Sequence, residues 1–191
     1  MKIAVFPLPI LLLPGGISKL RIFESRYKRL VAEAHHCDNS FVLCPAINEG
    51  ESTPFNIGTR VEIIDFDVLE DGLLGITIEA KERVSLFDFS QDDDGLHRAA
   101  YIAMAPYTTE RSIDEFPLLV TSLKQVLPHD FDIDERKLEQ NLCDLAWICQ
   151  RWLECIPFEN SSIKRILAEQ KLDDLLEVLT QLVDEFVSKN A

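Results

Sequence analysis

The apolar residues of the chain change their spacing once, near residue 106, and that change limits the architectures open to it. Before Pro106 the spacing is two. In "GITIEA", Ile76, Ile78 and Ala80 fall on one side and Thr77 and Glu79 on the other, the alternation of a half-buried strand. "RVEIIDFDV" alternates but slips phase: Val61 and Ile63 come first, then Ile64, Phe66 and Val68. "RVSLFDF" slips too, with Val84 and Leu86 followed by Phe87 and Phe89. A slip of one residue swaps the faces of a strand, so two slips predict bulges of the kind that turn the corners of a small closed barrel. "LEDGLLG" and "SQDDDGLH" supply turn residues between these strands.

One helix is expected inside this half, over residues 25–37. Tyr27, Leu30, Val31 and Ala34 share a stripe at ~100° per residue, and Phe23 projects onto the same side. Arg26, Arg29 and Glu33 lie opposite, and Glu24–Lys28 and Arg29–Glu33 are spaced as i,i+4 pairs. After Arg111 the period is 3.6. Leu138, Leu142, Leu145, Cys149, Trp152 and Ile156 make one stripe; Leu175, Leu176, Leu179, Leu182, Val183 and Phe186 make another. Pro157 is expected to end a helix, and Asn160 or a neighbouring serine to cap the next. The organisation expected is a β-rich unit over residues 1–108 and an α-helical unit over residues 109–191.

Charge narrows the partners. Formal net charge is −14, yet residues 1–30 hold six basic residues and one acidic, a net +5, which leaves −19 on the remainder. An acidic body disfavours nucleic acid as the main partner, because phosphate contacts supply most of that affinity. Five cysteines without a CxxC pattern point to buried free thiols in a reducing compartment, not to a disulfide framework. The apolar start "IAVFPLPILLL" is broken by two prolines and lacks a small-x-small cleavage site, so it is not expected to be a secretory leader. No segment offers the ~20 apolar residues of a membrane helix. The expectation is a soluble, cytoplasmic protein.

The motifs of common chemistries are missing. No glycine is followed by lysine, as a phosphate-binding ATPase loop requires, and there is no GxSxG elbow. His35-His36-Cys37 with Cys44 matches no common zinc spacing. "SQDDDG" is similar to a calcium loop, but Ser90 would be its first ligand and Tyr101 stands where the closing Glu belongs, so a hairpin turn is expected. Asp114 and Glu115 read as an acidic first helical turn. No cofactor, metal or catalytic residue is assigned.

The stretch "FPLPILLLPGGISKLRIFESRYKRLV", residues 6–31, resembles the start of the Lon protease N-terminal domain family. Leu13-Pro14-Gly15 stands for that family's turn, and Leu20-Arg21-Ile22-Phe23-Glu24 with Arg26-Tyr27 stands for its helix start. "NIGTRVEIIDFDVLEDGLLGITIEAKERVSLFDF" is similar to its middle strands, and "LAWICQRWL" with "IPFENSSIKRILAEQKLDDLLEVLTQLV" to its closing helices. Gly16, Ser18-Lys19 and Ser25 depart from the pattern. The resemblance implies an α+β fold: a small PUA-like β-barrel with one inserted helix, followed by a C-terminal helical bundle. It also implies a non-catalytic module that recognises unfolded or tagged client proteins, in partnership with an ATP-dependent protease.

On that scaffold the helix is expected to plug one end of the barrel, with Phe23 and Tyr27 in the core. Arg21, Arg26, Arg29 and Trp147 are the candidate protein-binding residues. Arginine offers flat, multiply donating contacts to backbone and carboxylates. Trp147 projects away from the Leu138–Leu142–Leu145 stripe, either against another helix or outward as an anchor. Two other readings stay open: an RNA-binding protein, which the resemblance to PUA-like barrels implies, and an enzyme acting on a small ligand in a barrel–helix cleft.

Overall fold

The computed structural model describes residues 2–45, 56–127, 135–156 and 160–190. In chain order these form β1 (Ile3–Leu8), β2 (Ile17–Ile22), α1 (Ser25–Ala34), β3 (Ser40–Pro45), β4 (Ile57–Val68), β5 (Leu74–Gln91), β6 (His97–Ala103), α2 (Pro117–Val126), α3 (Glu135–Asn141), α4 (Leu145–Cys155), α5 (Asn160–Ala168) and α6 (Asp173–Asn190). The chain divides into two compact units. One is Met1–Ala105 with Asn160–Ala168; the other is Pro106–Glu159 with Glu169–Ala191.

In the first unit the six strands run β2-β5-β4-β3-β1-β6, and a further β5–β6 pairing closes five of them into a ring. β1 and β3 are parallel, and the other pairs are antiparallel. "GITIEA" and "RVSLFDF" belong to one long strand, β5, which serves three neighbours. The phase slips are bulges: the β4–β5 register shifts between Ile63 and Asp65, and the β5–β6 register between Phe87 and Ser90. At the second bulge Asp88 takes a φ of 52°.

The ring closes around apolar side chains. Phe6, Phe41, Ile22, Val61, Ile76 and Ile78 pack against Tyr27, Leu30, Val31 and Ala34 of α1. Phe6 stacks on Tyr27 with ring centroids 3.8 Å apart. This is the helical stripe read from the sequence, with one exception. Phe23 is 62% exposed and not part of the core. Glu24 is extended (φ −73°, ψ 138°) and α1 begins only at Ser25, so Phe23 stands outside the helix whose projection would have turned it inward.

α5 is held to this unit by a buried arginine. Arg83 donates from Nη1 to the Leu167 carbonyl and from Nη2 to the Ala105 carbonyl, each at 2.7 Å. Main-chain carbonyls thus engage both terminal nitrogens of the buried guanidinium, the kind of compensation that burying a charge requires.

In the second unit α2, α4 and α6 pack together. The stripe from Leu138 to Ile156 is divided between two helices. Asp144 accepts from the Ala146 and Trp147 amides at 2.9 and 3.3 Å, so a cap restarts the helix and resets its phase. Trp152 is buried and donates from Nε1 to the Leu119 carbonyl at 2.9 Å. Leu176, Leu179 and Val183 line the buried side of α6. Asp114 and Glu115 lie in a short 3-10 turn, where Ser112 and Glu115 form a capping box ahead of α2. Pro157, the cap at Asn160 and the Phe186 side chain lie outside the described residues.

All five cysteines are free, but Cys143 and Cys155 are exposed and only Cys44 and Cys149 are buried. The expectation of five buried thiols is corrected accordingly. Burial pushes the thiols of Cys44 and Cys149 up to about 12, which leaves them protonated and unreactive at neutral pH.

Replacing Arg83 with Leu strands the buried Leu167 carbonyl and takes a partner from the part-buried Ala105 carbonyl, at roughly 1–3 kcal/mol for an unsatisfied buried group. The expected result is a loss of about 1–3 kcal/mol in denaturant unfolding, with faster amide hydrogen exchange at Ile166 and Leu167.

Candidate functional site

The basic cluster at residues 21–29 is spread over two different surroundings. Arg29, on the outer side of α1, is enclosed by acids. It bonds Glu33 at 2.8 Å, Asp92 at 2.9 Å and Asp94 at 2.5 and 2.8 Å. Arg98 completes the group through Glu33 (2.6 Å) and Asp92 (2.9 Å). Asp92 and Asp94 belong to the β5–β6 turn, a hairpin turn as expected, closed by the Asp92 amide donating to the Leu96 carbonyl and by Gly95 at φ 84°. The arginine of α1 thus offsets the charge of the acidic turn and staples the helix to the hairpin. Hydrogen bonds from Arg98 and then Arg29 hold the Asp92 carboxyl below its ordinary range, and Arg29 does the same to Asp94. Among the described residues no group of three His, Cys, Asp or Glu side chains is placed to hold a metal ion.

Arg26 and Arg21 face elsewhere. Both line a groove of about 500 Å³ bounded by residues 6–10 on one side and residues 18–21 of β2 on the other, with Phe23, Glu24 and Tyr27. Arg26 is half-buried, paired with Glu24 at 2.7 Å, bonded to the Gly95 carbonyl at 3.3 Å and set 4.7 Å above the Tyr27 ring. Glu24 therefore engages Arg26, where the sequence spacing had suggested Lys28. Arg21 pairs with Asp71 of the β4–β5 turn. Lys19, on the same outer face, makes no ion pair among the described residues. The groove wall is apolar: Phe6, Leu8, Ile10 and Leu20 are continuous with the barrel core. The segment after β1 is fixed by the buried Thr59 hydroxyl, which donates to the Leu12 carbonyl at 2.6 Å.

Among the described residues β2 is an edge strand, with β5 on one side and no strand on the other. Gly15, at φ 81°, donates to the Ala80 carbonyl, and the Ala80 amide donates to the Gly16 carbonyl. This is a bulge with glycine at its left-handed position. Antiparallel residues alternate between facing their partner and facing away. Counting from Gly16, Ser18, Leu20 and Ile22 bond to β5, while Ile17, Lys19 and Arg21 turn their amides and carbonyls to the open side. The far end of β4 is also open, but there the outward amides of Phe66 and Val68 are taken by the carboxylates of Asp65 and Asp67, at 2.9 and 2.7 Å.

Trp147, in the second unit, is 5% exposed, and Arg151 lies over its ring at 5.2 Å. Of the four candidate binding residues, the structure brings Arg21 and Arg26 to one groove, ties Arg29 into an ion cluster and buries Trp147. It adds Lys19, which the sequence reading did not single out, and Phe23, which that reading placed in the core. The signal for Phe23 was present: it precedes Glu24, the boundary residue of the helix.

The chain matches the model of the ATP-dependent protease La (LON) substrate-binding domain over residues 2–185. The chain belongs to this Lon substrate-binding domain family. Among solved structures, the Lon N-terminal domain protein from Xanthomonas campestris is 31% identical with a TM-score of 0.71, and the match covers 94% of this chain and 96% of that one. The N-terminal domain of the Mycobacterium avium complex Lon protease shares the fold at 12% identity, with a TM-score of 0.64 over 96% and 98% of the two chains. Among curated proteins no sequence matches the chain. The Lon N-terminal domain fold agrees with the α+β architecture, and the family matched is a substrate-binding domain, not a catalytic one. Among the described residues no helix is long and apolar enough to cross a membrane.

The acidic turn gives a pH signature. Carboxyls with a depressed folded pKa contribute stability above their ordinary pKa of about 4 and lose it as pH falls toward the folded value. Thermal melts between pH 5 and pH 3 are expected to show a shallower fall in Tm for Asp92→Asn/Asp94→Asn than for the parent chain. Parallel slopes would show that Arg98 and Arg29 do not depress these carboxyls.

Proposed function

We propose that the chain is a non-catalytic client-recognition module: it holds unfolded segments of client proteins in the groove beside β2 and presents them to an ATP-dependent protease. The observation that carries this reading is the exposed Phe23 at an apolar groove that also holds Arg21 and Arg26. Large apolar side chains next to arginine are what a surface needs to hold sequences that have lost their own core, with contact area from the rings and orientation from the guanidinium groups. Membership of the Lon substrate-binding domain family supports the same reading. Arg29 and Trp147 are left out of the proposed contact set, because one is enclosed by carboxylates and the other is buried. The net charge of −14 argues against an RNA-binding role.

The test is fluorescence anisotropy without ATP. A labelled, permanently unfolded protein, its folded counterpart and a labelled RNA are each titrated with the chain. Binding is expected for the unfolded protein alone. Phe23→Glu is expected to weaken it by about tenfold, the scale of one anchoring side chain, with no change in Tm because Phe23 lies outside the core. Equal binding of the folded control, or an unchanged affinity in Phe23→Glu, contradicts the proposal.

A further inference from the structure

The groove has a second property that the client-binding reading does not use: one of its walls is an unpaired strand edge. Among the described residues, β2 and the far end of β4 each have a side without a strand, and the chain treats these two differently. At β4 the outward amides of Phe66 and Val68 are occupied by the carboxylates of Asp65 and Asp67, a local cap that prevents pairing. At β2 the outward backbone groups of Ile17, Lys19 and Arg21 have no such cap among the described residues, and residues 18–21 line the groove. An edge with free amides and carbonyls is a template for another strand.

We propose that β2 takes up an extended peptide as an additional strand, and that the preferred peptide alternates apolar and acidic residues. The alternation follows from the two faces of β2. Ser18, Leu20 and Ile22 are on the face that continues into the barrel core, beside Phe6, Leu8 and Ile10; Lys19 and Arg21 are on the other face. Directly opposed residues of paired strands share a face. A strand lying on β2 therefore sets every second side chain against apolar wall, and the intervening ones against two cations. Of those cations Arg21 is already paired with Asp71, so Lys19 chiefly selects its charge. The two cations also exclude a second copy of this chain as the occupant, because antiparallel pairing of "ISKLRI" with itself brings lysines and arginines together. β2 spans six residues, so at about 3.3 Å per residue the edge is roughly 20 Å long, room for one short strand.

This inference rests on the client-binding reading for its biological setting, but its test stands apart. Three labelled ten-residue peptides are titrated into the full chain by anisotropy: one alternating valine and glutamate, one alternating valine and lysine, and the valine–glutamate peptide N-methylated at alternate backbone nitrogens. The valine–glutamate peptide is expected to bind about tenfold more tightly than its lysine counterpart, and N-methylation on the pairing side is expected to abolish binding. Lys19→Pro removes an outward amide while leaving the bonds of Ser18 and Leu20 to β5 intact, as an edge strand permits. It is expected to weaken the acidic peptide more than Lys19→Ala does, and Lys19→Glu is expected to lose the preference for acid. Unchanged hydrogen exchange at the Ser18 and Leu20 amides verifies that β2 stays in place in each variant. Equal affinity for the methylated peptide, or for the two charge patterns, overturns strand addition. The unfolded protein of the previous experiment, titrated in parallel and in competition, separates the two claims. If it binds and the acidic peptide does not displace it, client binding stands and strand addition falls. If the acidic peptide binds and the unfolded protein does not, the edge site stands and client binding falls.

Discussion

One edge of β5 is divided between two strands, and the rest of the barrel unit follows from that division. β4 occupies one side of β5 from Leu74 to Ser85. On the other side, β6 pairs with the stretch from Val84 to Gln91 and β2 with the stretch from Leu74 to Glu79. β6 goes on to pair with β1 and closes the ring. Among the described residues β2 has no further strand neighbour and ends as an edge. The bulges on β5's ladders supply the coiling that lets one strand reach both partners. A closed barrel removes its own edges, so the edge that remains beside β2 is a consequence of β5 being longer than the ring requires.

α1 holds this geometry in place from inside and outside. Inside, Tyr27 stacks on Phe6 and Leu30 is fully buried, so the helix forms part of the core. Outside, Arg29 and Arg98 bind the carboxylates of Glu33, Asp92 and Asp94. The positive charge that gathers behind the apolar start of a strongly acidic chain has two uses: one arginine fastens the helix to a hairpin turn, and others border an apolar groove.

Much of the barrel was legible in the sequence because its signals are local. The phase slips at Ile63–Ile64 and Leu86–Phe87 became bulges, since alternation of faces depends only on neighbouring residues. The α1 stripe became core for the same reason. The misplaced residues depended on where an element starts or on contacts distant in sequence. Phe23 was projected as helical, although Glu24 is extended and the helix begins after it. Asp144 caps α4 and breaks what looked like one stripe running from Leu138 to Ile156. Arg29 meets acids more than 60 residues away, and Arg83 reaches the carbonyl of Leu167. No periodicity carries either contact. The groove was legible only in part: its arginines were visible as charge, but its apolar wall and open edge come from strand order, which depends on the whole fold.

The central claim is that the groove beside β2 is the binding surface. The most direct measurement is the amide NMR footprint of the uniformly labelled chain on addition of an unlabelled, permanently unfolded protein. The account predicts perturbations concentrated at residues 6–10 and 17–27, with slower hydrogen exchange at the amides of Ile17, Lys19 and Arg21. A footprint centred on the helices of the second unit, or one that leaves β2 unchanged while the unfolded protein binds, would contradict it.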